Sequence, residues 1–313
     1  MKVFVVGSTG ALGIPVVERL LARGHEVTAL TRSADKAARL DAVGARPVLG
    51  DVFDAARMKE LMTGARPSGV VQLLNALPKR GPLRLSELAE TNRLRIEGTR
   101  NVLAAATAAG AGRFVAESMI FGYGYSHRSR AVTEDDKFGV NTSVEDVDRA
   151  LDALVSLESQ VLDASKRREI DGIVLRLGLF YGPGVGSTEF MIRLLRRRMM
   201  MLPGGARGVG SWIHVDDAAA AVVAVLEEAP AGGVYNVVDD EPTSMGDFAA
   251  EMARSLGLPR PRSIPLWLAR LGGRYGGMIA SATLRVSNER IKSELGWAPA
   301  YPTYREGVRT LRA

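Results

Sequence analysis

The opening stretch MKVFVVGSTGALG restricts the fold of this chain more than any other part of it. KVFVV is a continuous apolar run, as expected of a strand covered on both faces. It leads directly into Gly7, Gly10 and Gly13, and then into ALGIPVVERLLARG, whose apolar residues recur at helical spacing. Pro15 is tolerable in the first turn of such a helix, and Gly24 is a stop. A glycine triplet alone is weak evidence, but one that ends a strand and opens a helix is a phosphate cradle. Gly7 allows the tight turn, Gly10 lets the backbone approach a pyrophosphate, and Gly13 lets helix pack on strand. The turn Gly7, Ser8, Thr9, Gly10, Ala11, Leu12 and Gly13 is therefore the expected dinucleotide site. Amides at the helix start would meet the phosphates, with the Ser8 and Thr9 hydroxyls as further donors.

Strand-like and helix-like segments keep alternating. HEVTALTR, ARPVLGD, GVVQLLNAL, GRFVAES and GIVLRLGLFYGPG read as strands. Between them lie SADKAARLDAVG, DAARMKELMTG, one long helix containing LAETNRLRIEGTRNVLAAATAAG, and a helix from about Val144 to Lys166. A loop rich in glycine, serine and charge, Gly122 to Thr142, precedes the last of these. Such alternation predicts an α/β fold, a Rossmann-type doubly wound parallel sheet with right-handed crossovers. The pattern becomes irregular after Gly182. Residues 1–182 are read as the nucleotide-binding domain, rejoined by about 211–238. Residues 183–210 and 239–313 are read as a smaller C-terminal substrate lobe.

Composition removes several classes of function. The 313 residues are 46% hydrophobic and 24% charged, as in an ordinary globular protein with a substantial core. Without cysteine there is no disulfide, thiolate metal site or cysteine nucleophile. His25, His127 and His214 are too scattered for a zinc motif, so no metal is expected. The net charge is +6, and its densest run is RLLRRR, Arg193 to Arg198. That run lacks interleaved aromatic residues and reads as a solvated helix face, with room for one arginine on a ligand phosphate, rather than a nucleic-acid site. The apolar run Ala218 to Leu226 is too short to span a bilayer. The chain starts directly with a strand and shows no signal peptide, so a cytoplasmic protein with no membrane partner is expected.

The second strand bears on the cofactor. A site for NAD usually carries an acid at the end of this strand, for the ribose 2′-hydroxyl. Here the strand ends ALTRS, with Arg32 in that place and Ser33 and Lys36 beside it. A guanidinium suits a 2′-phosphate, which points to NADP, with NAD as the alternative.

VVGSTGALG, the Gly50–Asp51 pair, EGTRNVL, LRLGLFYGPG, WIHVDDAA, VYNVVDDEP and SNERIKSELGW follow one another in an order that resembles the extended branch of the short-chain dehydrogenase/reductase superfamily, which includes NAD-dependent epimerases and dehydratases. The resemblance covers essentially the whole chain. It implies that Asp51 and the adjoining Val52 lie near the adenine, that Asn75 and Ala76 flank the cofactor ribose, and that Gly178, Leu179 and Phe180 approach the nicotinamide.

The resemblance also exposes a gap. Relatives of this kind use a Tyr-x-x-x-Lys pair on the helix after the fifth strand, in which tyrosine exchanges a proton with the substrate oxygen. None of the seven tyrosines here has a lysine four residues later. Anchoring that helix on Glu158 puts Ala150 and Leu154 at the two positions, and neither can exchange a proton. Six residues are candidates for the missing role. Ser118 stands near the usual serine position and can polarise a carbonyl. Glu117 is a candidate general base, Tyr123 and Tyr125 are phenols in the following loop, Tyr181 lies at the edge of strand six, and His214 precedes a helix and titrates near neutrality. The leading expectation is an NADP-dependent oxidoreductase acting on a small carbonyl or alcohol substrate with a relocated proton donor. The alternatives are a non-redox isomerase, dehydratase or cyclase on the same fold, and an NADP-sensing binding module. A homodimer is also expected. The helices around Ser86–Ala109 and Val144–Lys166 form a four-helix bundle in many relatives, and Leu154, Leu157, Val161 and Leu162 offer an apolar stripe.

Overall fold

The computed structural model describes residues 1–82, 84–124, 130–139, 145–265, 267 and 282–312. Its centre is a seven-stranded parallel sheet. In chain order the strands are β1 (Lys2–Val6), β2 (Glu26–Thr31), β3 (Arg46–Leu49), β4 (Gly69–Gln72), β5 (Arg113–Met119), β6 (Asp171–Leu177) and, later in the chain, β11 (Val234–Val237). Their spatial order is Val234–Val237, β6, β5, β4, β1, β2, β3, so the order reverses between β1 and β4. A crevice opens at the carboxyl ends of strands at such a reversal.

Two apolar layers cover the sheet. On one face, α1 (Gly13–Ala22) and α8 (Val215–Glu228) pack on Val3, Val5, Val71, Val115 and Leu175. On the other, α3 (Ala55–Ala65), α5 (Thr99–Ala108) and α6 (Glu145–Lys166) pack on Phe4, Val6, Val70, Phe114 and Ala116. Between them, in the order of the chain, lie α2 (Ala34–Ala42), capped by Ser33, and α4 (Ala89–Arg93). The long helix expected before β5 is interrupted. A 3-10 turn at Leu85–Leu88 leads into α4, and a π turn at Leu94–Gly98 separates α4 from α5. Gly98 lies there against Leu74 and Val52, where an added Cβ would meet their methyl groups at 3.4 and 3.5 Å.

The stripe offered for a dimer is used within the chain. Leu154, Leu157 and Val161 are buried, and Leu162 packs partly against the α3–α5–α6 core. Exposed positions of α6 are instead Glu145, Arg149, Asp152, Ser159, Asp163 and Lys166. That stripe therefore carries no argument for self-association.

Beyond β6 the chain builds a second core. β7 (Leu179–Tyr181) pairs in parallel with β10 (Trp212–His214). α7 (Gly186–Arg196) and α9 (Met245–Ser255) enclose Tyr181, Leu195, Trp212 and Phe248, with Trp212 stacked on Phe248 at 4.0 Å. β8 (Met201–Pro203) pairs with β13 (Arg262–Ile264), and β9 (Val209–Gly210) pairs with β12 (Thr243–Ser244). α8 is anchored to the C-terminal segment by Asp217, whose carboxylate accepts the Ala300 and Tyr301 amides at 2.8 and 3.0 Å.

Candidate active site

The glycine turn is fixed by close backbone contacts. Gly7 has φ +84°, and a Cβ there would lie 2.1 Å from the Leu73 carbonyl oxygen. A Cβ on Gly13 would lie 2.2 Å from the Gly7 carbonyl oxygen. Those two positions admit only glycine, because the obstacles are backbone atoms. Gly10 differs. It is exposed, and its added Cβ would meet nothing closer than 3.3 Å. So the turn is locked at its two ends and open in the middle. α1 starts without a side-chain cap or an acid in its first turn, which leaves the positive end of the helix facing the opening. Ala11 is exposed and Thr9 half-buried at this rim, with Leu12 buried beneath. Ser8 is corrected: its hydroxyl is fully buried and donates to the Leu30 carbonyl at 2.8 Å, so it ties β1 to β2 and is not a phosphate donor.

At the ends of β2 and β3, Arg32 is exposed, with Nη1 3.9 Å from Asp51 Oδ2. Ser33 accepts the Lys36 amide as the cap of α2. Asp51 accepts the Phe53 amide, and the Val52 carbonyl accepts from Asn101. Beyond β4, Asn75 is exposed in the crevice, and the Ala76 amide donates to Thr91 Oγ1. Gly178 forms the tight crossing from β6 to β7, where a Cβ would lie 2.8 Å from the Ser211 carbonyl oxygen. The Leu179 and Phe180 side chains are half-buried and pack against the two flanking cores.

The end of β5 separates two neighbours by strand alternation. Ser118 shares the face of Phe114 and Ala116, toward α6. There its hydroxyl donates to Glu158 Oε1 at 2.6 Å. Arg176 on β6 grips the same carboxylate through Nε and Nη2, the latter at 2.7 Å. Its Nη1 donates to the Tyr123 hydroxyl at 2.7 Å, and that hydroxyl donates to Asn236 Oδ1 at 2.8 Å. Phe138 lies under the Arg176 guanidinium at 3.9 Å, and Glu134 accepts the Asn236 amide at 2.7 Å.

Glu117 takes the face of Val115. It is 8% exposed, and its Oε2 has no hydrogen-bond partner. Burial pushes its carboxyl up to about 7, against the Arg95 charge and the Asn75 side chain, which both favour the anion.

Four sequence candidates are withdrawn by this geometry. Ser118 is bound into the Glu158 pair. Tyr123 is fully buried, commits its proton to Asn236, and is pushed up to about 12 by burial. Tyr181 is fully buried, edge-on to Trp212, His214 and Phe248, with its hydroxyl against Gly307; burial and nearby acids raise it far above an ordinary phenol. His214 is fully buried and caps α8, accepting the Asp216 amide at Nδ1. That bond assigns the proton to Nε2, which faces Thr310 Oγ1 at 3.1 Å, and burial lowers the imidazole to about 4. A histidine held neutral in this way is a structural hydrogen-bonding residue. Tyr125 lies outside the described residues. Of the six candidates, Glu117 and Tyr181 each keep a buried polar atom without a hydrogen-bond partner, and Glu117 is the one that adjoins the exposed Asn75.

Sequence reasoning missed Arg176, Asn236, Glu134 and Arg95. Arg176 carried a readable signal, a charge inside an otherwise apolar strand run, which demands a buried partner.

Comparison with known proteins agrees with this architecture. Residues 3–238 match the model of the NAD dependent epimerase/dehydratase family. The chain is 37% identical over 312 residues to a 3-diazoavenalumate denitrifying reductase from a Streptomyces species, covering 98% of this chain and 99% of that one. It is 25% identical to a 4-hydroxy-2-methyl-3-oxo-4-farnesyl-3,4-dihydroquinoline-1-oxide ketoreductase of Stigmatella aurantiaca, covering 100% and 96%. Among solved structures, the UDP-glucose 4-epimerase of Thermotoga maritima superposes with a TM-score of 0.82 at 19% identity, covering 99% and 97% of the two chains.

Proposed function

The chain belongs to the NAD dependent epimerase/dehydratase family and is an NAD(P)-dependent oxidoreductase of the extended short-chain dehydrogenase/reductase type, and from that premise we propose an NADPH-dependent reductase of small carbonyl substrates with Glu117 as proton donor. The observation that carries this reading is the buried Glu117 carboxyl with its unpartnered oxygen at the carboxyl edge of β5. Gly7 to Gly13 would hold the cofactor pyrophosphate, and Arg32, with Ser33 and Lys36, its 2′-phosphate. Asp51 and Val52 would hold the adenine, and Asn75 and Ala76 the ribose, with the Gly178–Phe180 backbone toward the nicotinamide. Bound there, a reduced nicotinamide would supply the hydride for the carbonyl carbon.

Glu117 then does the work of the missing tyrosine. Its neutral carboxyl donates a hydrogen bond to the carbonyl oxygen and releases its proton as negative charge develops there. Asn75 and Arg95 favour the carboxylate that remains, and the exposed Asn75 rim gives solvent access for reprotonation. Residues 183–210 and 239–313 shape the substrate pocket, and the enzyme is read as cytoplasmic. The named diazo-substrate reductase among the relatives keeps a diazo compound beside ketones and aldehydes in the substrate panel.

Stopped-flow absorbance at the reduced-nicotinamide band tests the reaction. Loss of the band with a panel member is expected; turnover without any absorbance change replaces the reading with an isomerase or dehydratase, and cofactor binding without turnover replaces it with a sensing module. Titration of Arg32→Ala tests the cofactor. NADPH affinity should fall about tenfold while NADH affinity holds, and equal NADPH affinities give the site to NAD. Sedimentation at rising concentration decides whether the chain dimerises.

A further inference from the structure

The arginine run of the sequence belongs to a larger surface that the proposed reaction does not use. Arg193, Arg196, Arg197 and Arg198 are exposed at the end of α7. The chain then turns into β8, and β8 pairs with β13, setting Arg262 beside Met201. Arg207 and Arg260 flank the same ribbon across a cavity of about 450 Å³. None of these seven guanidinium groups has a carboxylate partner among the described residues. Three acids lie on the adjoining helices. Glu189 is in the first turn of α7, Glu251 is paired with Arg254, and Asp247 accepts the Ser244 hydroxyl in the cap of α9.

Apolar groups stand out of this basic surface. Met199 is 57% exposed, Met201 59% and Trp267, just past β13, 64%. Among the described residues, the other exposed large apolar ones, Met1, Val43, Leu49 and Leu77, belong to the nucleotide-binding half. Flexible thioethers beside arginines, as Met201 stands beside Arg262, match an interface with phosphate outside and hydrocarbon within. Arginine stems can lie along the apolar region while their heads meet anionic groups. A nucleic acid would engage the guanidinium groups but would leave Met199 and Met201 without a contact that favours exposure.

We propose that the face formed by the end of α7 and the β8–β13 ribbon adsorbs to an anionic lipid surface, with Met199 and Met201 entering the headgroup boundary and the surrounding arginines binding lipid phosphates. The site is peripheral, since no described helix is long and apolar enough to cross a membrane.

Vesicle flotation of the full chain tests this. The protein should float with vesicles of phosphatidylglycerol and phosphatidylcholine, stay behind with phosphatidylcholine alone, and be released by high salt. Replacing Arg196, Arg197, Arg260 and Arg262 together by alanine should reduce partitioning by about 100-fold or more. Met199→Ser with Met201→Ser should reduce it about tenfold while leaving binding to duplex DNA unchanged. All variants should keep the wild-type melting temperature, and flotation does not depend on turnover, so failure here leaves the reductase reading intact. A wild type that ignores anionic vesicles at low salt overturns the proposal. Vesicle binding that the methionine variant retains in full also overturns it, and marks the face as a general polyanion site.

Discussion

Glu117 and Glu158 are both buried near the carboxyl end of β5, one on each side of it, and their surroundings differ in a way that separates architecture from chemistry. Glu158 accepts from Ser118 and from three nitrogen contacts of Arg176, and its charge is matched inside the protein. Glu117 is left with one oxygen unpartnered, the Arg95 charge acting on it, and an exposed Asn75 at its rim. A satisfied buried network holds elements in place. An unsatisfied buried carboxyl at a ligand edge costs stability, and that cost is sensible where the missing partner is a substrate.

The largest expected effect comes from Glu117→Gln. The amide keeps the shape but has no acidic proton, so kcat should fall about 10²- to 10⁴-fold with cofactor affinity retained. In the wild type, reduction should lose rate as pH rises through about 7, where the acid form disappears. The stability effect has the opposite sign. A folded-state value raised above the ordinary carboxylate range means stability is complete below that range and is lost as pH climbs toward about 7. Glu117→Gln should therefore be more stable by about 1–3 kcal/mol at neutral pH. A variant that is both active and no more stable removes Glu117 from the chemistry.

Glu158→Ala probes the satisfied side. It leaves the Arg176 guanidinium buried without its carboxylate, and urea unfolding should show a loss of about 3–5 kcal/mol. Wild-type stability in that variant would mean that the two glutamates do not differ as argued.

Asp239 supplies a third case. It is 1% exposed with both carboxylate oxygens unpartnered, and burial with Asp240, Glu241 and Asp217 pushes it up to about 9. It adjoins the lobe core, its amide bonded to the Trp212 carbonyl, rather than the cofactor crevice. Its stability contribution is intact below the ordinary aspartate range and declines as pH rises toward about 9. The advantage of Asp239→Asn should grow through that window and then level off, at several kcal/mol and up to about 7 by this linkage. Melting curves across pH follow it directly. Turnover should hold. If it collapses as in Glu117→Gln, lack of a partner alone, and not position at the crevice, is what the two acids share.

Much of the fold was legible because its determinants are local. Gly7 and Gly13 face backbone atoms in their own turn, and apolar runs bounded by glycine and polar caps marked the strands and helices. The missing tyrosine and lysine were equally plain, since an absent residue type needs no coordinates. The site was harder. Glu117 and Ser118 are adjacent, and only the placement of α6 decides which one meets a partner and which meets the crevice. Tyr181 stands at the strand edge as expected, yet its ring turns into a lobe core assembled from residues far along the chain. His214 combined a titratable ring with a helix-capping position, and the cap prevailed.

Ser118→Ala is the mildest change and the most direct challenge to the contrast between the two sides of β5. Removing the hydroxyl deletes one donor to Glu158, but the Arg176 fork remains, so the carboxylate keeps its charge partner. The loss should be about 1 kcal/mol of stability, as for one buried hydrogen bond. The kcat should stay within about threefold, because the Ser118 proton points toward α6 and contributes nothing to a carbonyl in the crevice. KM and the pH limb near 7 should be unchanged, since both belong to Glu117 and the pocket. A hundredfold fall in kcat with unchanged stability would return Ser118 to the substrate oxygen, and the side of β5 assigned here to architecture would become part of the reaction.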